Sequence, residues 1–255
     1  MIKIRGLKLL SVVLLLFSYF VSVGTLKSES KSPEIFSKIE IDVIKKIAIE
    51  ALLENPEILI EVSKILKERD EKEKSKNISR LLKEYRNELF DVSDTDILGN
   101  PNGDITIVEF FDYNCSYCKI AAQNIRKLIK NDGNIRFIPR EWPILNSTSV
   151  FAAKAAIASI KQDKYKEFHW KLMEEKRLNE DRVISIADEL DIDLIELEEG
   201  MNSKFVKNHI EKSALLARKI GFSGTPLFII EDNFVPGYVP IEEMKAIINK
   251  IRQNK

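Results

Sequence analysis

Hydrophobic and polar positions follow three different rhythms along the chain. Lys3, Arg5 and Lys8 precede an uncharged run from Leu9 to Leu26, the profile of an export signal, with small residues at Ser22 and Gly24 where a peptidase could cut. The run is almost long enough to span a bilayer, so an uncleaved anchor is the alternative. Ser32-Pro33-Glu34 then has the form of an N-cap followed by proline at the first helical position, and Ile35, Ile39, Ile44, Ile47, Ala48 and Ala51 continue at helical spacing. Asn55-Pro56-Glu57 repeats the start signal and opens a second helix. Its apolar positions are Leu59, Ile60, Val62, Ile65 and Leu66. Every residue from Lys67 to Lys76 except Ser75 is charged, and Ile78, Leu81, Leu82, Tyr85 and Leu89 then return at helical intervals. The pattern predicts a long solvated helical stalk.

The texture changes at Leu98. Gly99-Asn100-Pro101-Asn102-Gly103-Asp104 is a turn cluster, and the nearly continuous apolar run Ile105–Phe111 is a buried strand. A helical pattern from about Cys115 to Lys130, then Gly133, then a strand at Ile135–Pro139 give the strand-helix-strand order of a parallel pair. A helical stretch follows, broken near Leu145-Asn146, Gln162-Asp163, Leu178-Asn179 and Glu199-Gly200. The chain closes with a strand at Leu227–Glu231, a turn at Asp232-Asn233, a short strand near Phe234-Val235 and a helix from about Pro240 to Arg252. The expected organisation is a signal or anchor over 1–26, a helical extension over 27–94, and an α/β domain over 95–255 with a helical insertion at about 146–221.

At 255 residues and 44% hydrophobic content the chain can bury a sizeable core. Forty basic residues balance forty acidic ones. No net field favours nucleic acid or an anionic membrane surface, and no nucleic-acid partner is expected. The apolar positions of residues 35–66 lie outside the α/β domain and need a surface to bury against, so a homo-oligomer formed through residues 33–90 is the economical expectation.

The cysteines narrow the chemistry. An exported protein sits where disulfides persist, yet this chain has two cysteines, Cys115 and Cys118, separated by two residues. The ring they would close is too small to restrict the unfolded chain much, so a structural staple is poorly motivated. At a strand-to-helix transition this spacing puts both sulfurs on one helical face. The free N–H groups and positive dipole end of the first turn favour thiolate at Cys115, the attacking sulfur, with Cys118 one turn deeper to resolve the mixed disulfide. Half of a zinc site is the competing reading. A structural zinc wants four ligands, and only His169 and His209 remain, neither with metal-type spacing to the pair. Each is expected to be a surface or packing histidine. No metal and no cofactor beyond the Cys115–Cys118 disulfide is expected. Glu109 sits inside the apolar run Ile107-Val108-Glu109-Phe110-Phe111, where burial would raise its pKa. Phe111, Tyr113 and Trp142 read as core packing that can also border the site.

The segment Glu109-Phe110-Phe111-Asp112-Tyr113-Asn114-Cys115-Ser116-Tyr117-Cys118-Lys119 resembles the active-site segment of the DsbA family. Leu98-Gly99-Asn100-Pro101, Arg140-Glu141-Trp142-Pro143-Ile144-Leu145, Gly224-Thr225-Pro226 and Pro236-Gly237-Tyr238-Val239-Pro240 follow as similar landmarks in the same order, across about residues 95–252. The resemblance implies an α/β thioredoxin fold with a helical insertion, here preceded by an N-terminal helical stalk, and a protein-disulfide oxidoreductase. It implies a cis Pro226 beside the cysteines, a Thr225 backbone that takes extended client segments by strand addition, and Glu109 as a proton relay for Cys118. Tyr117, between the cysteines, joins Thr225 and Pro226 on the expected client-binding surface. Strongly oxidising members carry a histidine where this chain has Tyr117. Cys115 is therefore expected to be less acidic than the ~3.5 of the strongest oxidants, and the disulfide milder than about −120 mV. Lys119 could restore part of the missing charge effect, with a surface helix lysine as the default expectation. The implied role is an exported oxidase of client proteins, most simply periplasmic and recharged by a membrane partner of DsbB type. The extension resembles those that oligomerise some relatives, which makes an oligomeric isomerase or reductase acting on misfolded clients the alternative.

Overall fold

A computed structural model describes residues 36–254 of the chain. The signal or anchor expected over 1–26 lies outside them. Among the described residues no helix is long and apolar enough to cross a membrane. The chain divides into two compact units, one ending at Ile65 and one beginning at Leu66.

The first unit holds helix α1 (Lys38–Glu54) and the opening turns of α2 (Glu57–Glu84). The start expected at Ser32-Pro33 lies outside the described residues; within them α1 opens on a capping box at Ser37, whose hydroxyl accepts from the Glu40 amide while the Glu40 carboxylate accepts from the Ser37 amide. The box satisfies two amides at the helix start reciprocally. Asn55 ends α1, its side chain donating to Ala51 O, and α2 opens where Asn55-Pro56-Glu57 places it. No residue of α1 is buried. Ile39, Leu53 and Ile60 are among the apolar side chains left more than 70% exposed.

The second unit is a five-stranded sheet between helical layers. After α2 comes the short α3 (Arg86–Leu89), then β1 (Leu98–Gly99), β2 (Ile105–Phe111), α4 (Ser116–Asp132) and β3 (Ile135–Glu141). The insertion comprises α5 (Ser147–Ala158), a 3-10 turn (Ser159–Gln162), α6 (Tyr165–Glu174), α7 (Glu180–Glu189), α8 (Leu194–Met201) and α9 (Lys204–Ile220). β4 (Leu227–Ile230), β5 (Asn233–Pro236) and α10 (Ile241–Gln253) complete it. The strand order is β1-β3-β2-β4-β5, with β2 and β3 parallel and the other pairs antiparallel. This is the expected thioredoxin-type α/β arrangement with one addition. Leu98-Gly99, with Gly99 expected at the start of a turn, forms the edge strand β1 on β3. Gly99 has φ +87, and a Cβ there would lie 2.5 Å from Ile135 O, so the close approach demands glycine. A further break between α7 and α8, at Leu190–Asp193, carries no proline or glycine and left little trace in the sequence.

Alternation along the strands sorts two cores. Ile105, Ile107 and Phe111 face the cluster containing Cys115, Cys118 and Ile125 of α4, Met244 and Ile248 of α10, and the insertion. Val108 and Phe110 face the opposite cluster, with Leu216 and Ile220 of α9, Leu82 at the end of α2 and Leu89 of α3. Arg140, fully buried on that second face, ion-pairs with Asp94 at 3.2 Å and donates to the carbonyls of Glu88, Leu89 and Asp91. These bonds fasten the segment leading from α3 to the sheet. Trp142 packs edge-on to Phe110 in the same cluster, away from the cysteines, so it serves as core alone.

Candidate functional site

Cys115 is the N-cap of α4, and both cysteines are free. Asp112 fixes the loop before it. Its carboxylate, nearly fully buried, accepts from the amides of Asn114 at 2.8 Å, Ile144 at 2.8 Å and Leu145 at 3.0 Å, while its carbonyl accepts from the Cys115 amide. Asn114 extends the brace: its side chain donates to Asn146 and accepts from the Leu178 amide. An Asp that folds back onto the amide two residues on is a recognisable turn signal, and Asp112-Tyr113-Asn114 carries it. Sequence reasoning passed over both residues.

The Cys115 sulfur accepts from the Cys118 amide at 3.4 Å and stands 3.4 Å from Thr225 O, to which it donates. Thr225-Pro226 is a cis peptide at the start of β4, and it lies beside Cys115. Bonding from the Cys118 side chain, aided by the Thr225 side chain and the amides of Cys118 and Tyr117, outweighs burial and brings the Cys115 thiol down to about 6. Cys118 is fully buried, and that burial drives its thiol strongly upward. The two sulfurs are thus inequivalent: thiolate is stable at Cys115 and strongly disfavoured at Cys118.

Glu109 shares the parity of Ile107 and Phe111, so it faces the α4 side of the sheet, the side of the cysteines. It is 1% exposed and its Oε1 has no hydrogen-bond partner. Burial, then the neighbouring Cys115, raise its pKa well above the ordinary carboxyl value. Tyr117 is 59% exposed and stacks on Tyr238, ring centres 6.3 Å apart, while Asn124 donates to the Tyr238 hydroxyl. Tyr238 reached the sequence reading only as part of a landmark, because nothing local pairs it with position 117.

One expectation is corrected, and both histidines take the packing alternative. Lys119 is buried, not on the surface, and its ammonium donates to Leu172 O at 3.1 Å. His169 and His209 are both buried as well. His169 Nδ1 bonds the Tyr113 hydroxyl, and burial holds its pKa down to about 4. His209 bridges Asp94 O and the Glu141 carboxylate, which also accepts from Tyr165. Burial opposes charge on this pair, but their mutual attraction prevails, raising His209 and lowering Glu141. Among the described residues no cluster of three or more His, Cys, Asp or Glu is placed to hold a metal ion.

The DSBA-like thioredoxin domain family matches residues 106–249. The chain belongs to this family, one of thiol–disulfide oxidoreductases. The N-terminal domain of copper resistance protein ScsC matches residues 42–73. A thioredoxin-like oxidoreductase from Silicibacter pomeroyi is 44% identical, with a TM-score of 0.64 over 66% of this chain and 98% of that one. BcfH of Salmonella enterica Typhimurium is 27% identical, with a TM-score of 0.72 over 83% of this chain and 95% of its own, so the likeness reaches into the helical extension. The probable disulfide bond formation protein D of Bacillus cereus is 26% identical over 66% of this chain and 83% of its length. Na(+)/H(+) antiporters NhaA of Salinispora species are also matched, but over only 24% of their length.

Proposed function

We propose that this protein exchanges dithiols for disulfides in exported client polypeptides through Cys115 and Cys118, and that it works mainly as an oxidase. The observation that carries the reading is the Cys115 sulfur at the head of α4, bonded by the Cys118 amide at 3.4 Å and facing Thr225 O. A stabilised thiolate stabilises the reduced pair, which makes the disulfide an oxidant.

A client thiolate attacks Cys115 Sγ of the disulfide. The S–S bond breaks, its electron pair passes to Cys118 Sγ, and that buried sulfur takes a proton, for which the protonated Glu109 is the local donor. A second client thiolate then attacks the client sulfur of the mixed disulfide, and Cys115 departs as thiolate, a good leaving group because its pKa is low. The client is oxidised by two electrons and the pair is reduced. A membrane partner of DsbB type would restore the disulfide, as the family resemblance implies, and the periplasm is the fitting compartment. Thr225 would pair its backbone with the client segment, Pro226 beside it, and the Tyr117–Tyr238 stack would border that strand.

The second reading is an oligomeric isomerase or reductase. It is favoured by the exposed apolar side chains of residues 36–66 and by the match of residues 42–73 to the ScsC N-terminal domain. One assay separates the two. The mature chain is mixed, as its disulfide, with a reduced two-cysteine client and, as its dithiol, with a scrambled one. Rapid oxidation of the first with little rescue of the second supports the oxidase. The reverse pattern refutes that direction, and an inert Cys115→Ser control ties either outcome to the pair.

A further inference from the structure

Lys119 is 8% exposed and follows Cys118 directly in α4. Its amide donates to Cys115 O at 3.1 Å, so the two residues are one turn apart on the same helix face, with Cβ atoms about 5–6 Å from each other. The ammonium donates to Leu172 O in the last turn of α6, an orphan carbonyl at a negative helix end. Among the described residues no carboxylate lies within 4.0 Å of it. The acids in its field are engaged elsewhere: Glu175 holds Arg182, and Asp112 holds three backbone amides. A buried ammonium without a counter-ion is costly, and a neutral donor would suffice to cap α6. A negative charge does form on this helix face, at Cys115 Sγ.

We propose that Lys119 is a positioning residue for disulfide exchange, its buried ammonium supplying the counter-charge to the Cys115 thiolate that Tyr117 cannot provide. This deepens the proposed function and rests on it. Burial lowers Lys119 to about 8, opposed first by Glu175 and Asp112 and then by Cys118 and Cys115, so it is still charged at neutral pH. Two buried ionisable groups without a counter-ion then flank the pair: Lys119 holds charge at Cys115, and Glu109 delivers the proton to Cys118. In the oxidised state the thiolate is gone and the ammonium keeps Leu172 O but loses its counter-charge.

The test is a titration of the Cys115 thiolate by its ultraviolet absorbance in the reduced mature chain and in three variants. Lys119→Gln keeps a donor for Leu172 O without the charge, Lys119→Met removes both, and Lys119→Arg keeps the charge. The Gln and Met variants are expected to raise the Cys115 midpoint by roughly one unit, and the Arg variant to stay within a few tenths. A Gln variant that titrates like the wild type overturns the proposal. A second measurement needs no variant. By reciprocity, the Lys119 ammonium followed by NMR must titrate roughly one unit lower in the oxidised protein than in the reduced one. Identical values in both states overturn the proposal even if every substitution unfolds the chain. A wild-type Cys115 midpoint near that of a free thiol, about 8.5, would instead sink the functional reading itself, and this inference with it.

Discussion

Replacing Glu109 by Gln is expected to make the protein more stable at neutral pH and slower at exchange. The carboxyl lies in β2 between β3 and β4, 1% exposed, with one oxygen unpartnered, and its pKa is raised by burial from 4.5. Above that value the unfolded chain releases the proton while the fold retains it. Native protein then binds more protons than unfolded protein, and stability falls as pH rises, by about 1.4 kcal/mol per unit, until the folded pKa is reached. Gln has nearly the same volume and no such penalty. The variant should match the wild type near pH 4 and gain on it steadily, to a ceiling of about 3 kcal/mol at pH 7. Losing the proton donor to Cys118 should slow client oxidation by roughly 10²–10⁴. Urea unfolding of the reduced proteins at several pH values reads the first effect, and stopped-flow oxidation of a two-cysteine peptide reads the second. A stability difference that does not change with pH, or an unchanged oxidation rate, refutes the assigned role.

Other expectations test neighbouring parts of the account. Alkylation of reduced protein should modify Cys115 alone, with a rate that rises to a plateau about a midpoint near pH 6, because thiolate accumulates as pH rises through its lowered value; peptide mapping identifies the modified residue. Cys118→Ala should accumulate client mixed disulfides at Cys115, visible on non-reducing gels, whereas Cys115→Ser should trap none. Arg140→Met should cost about 3 kcal/mol in chemical denaturation, since it strips the donor from Asp94 and three carbonyls of the α3–β1 segment. A shortened chain beginning at Asp91 should lose at least about 4 kcal/mol against one beginning at Lys74, because it forfeits the buried Leu82 and Leu89. Equal melting behaviour of the two shortened chains would contradict that packing.

How far the fold could be read from sequence depended on whether the deciding contacts were local. β2, α4, β3 and β4 carry periodicity, caps or breakers within their own spans, and the sequence places them to within two residues. The two-residue β1 exists because β3 offers an unpaired edge, which no local pattern announces. The capping box at Ser37 and Glu40 that opens α1 is a local signal the sequence carries three residues apart. In the site, the CxxC spacing and the carboxylate in an apolar strand are visible as letters. Lys119 could not be placed from sequence: helical position alone suggests solvent, and its burial comes from α6, some fifty residues later in the chain. Tyr238, His209 and Arg140 were hidden for the same reason, each finding its partner across the fold.

The most direct measurement is the redox equilibrium of the Cys115–Cys118 pair against glutathione buffers, read by quantitative alkylation. With a Cys115 thiol near 6, more acidic than an ordinary thiol and less so than the strongest oxidants, a single two-electron transition is expected between about −120 and −270 mV. A pair that stays locked in one state across that range, or a midpoint below the thioredoxin value of about −270 mV, would contradict a thiolate-stabilised oxidant.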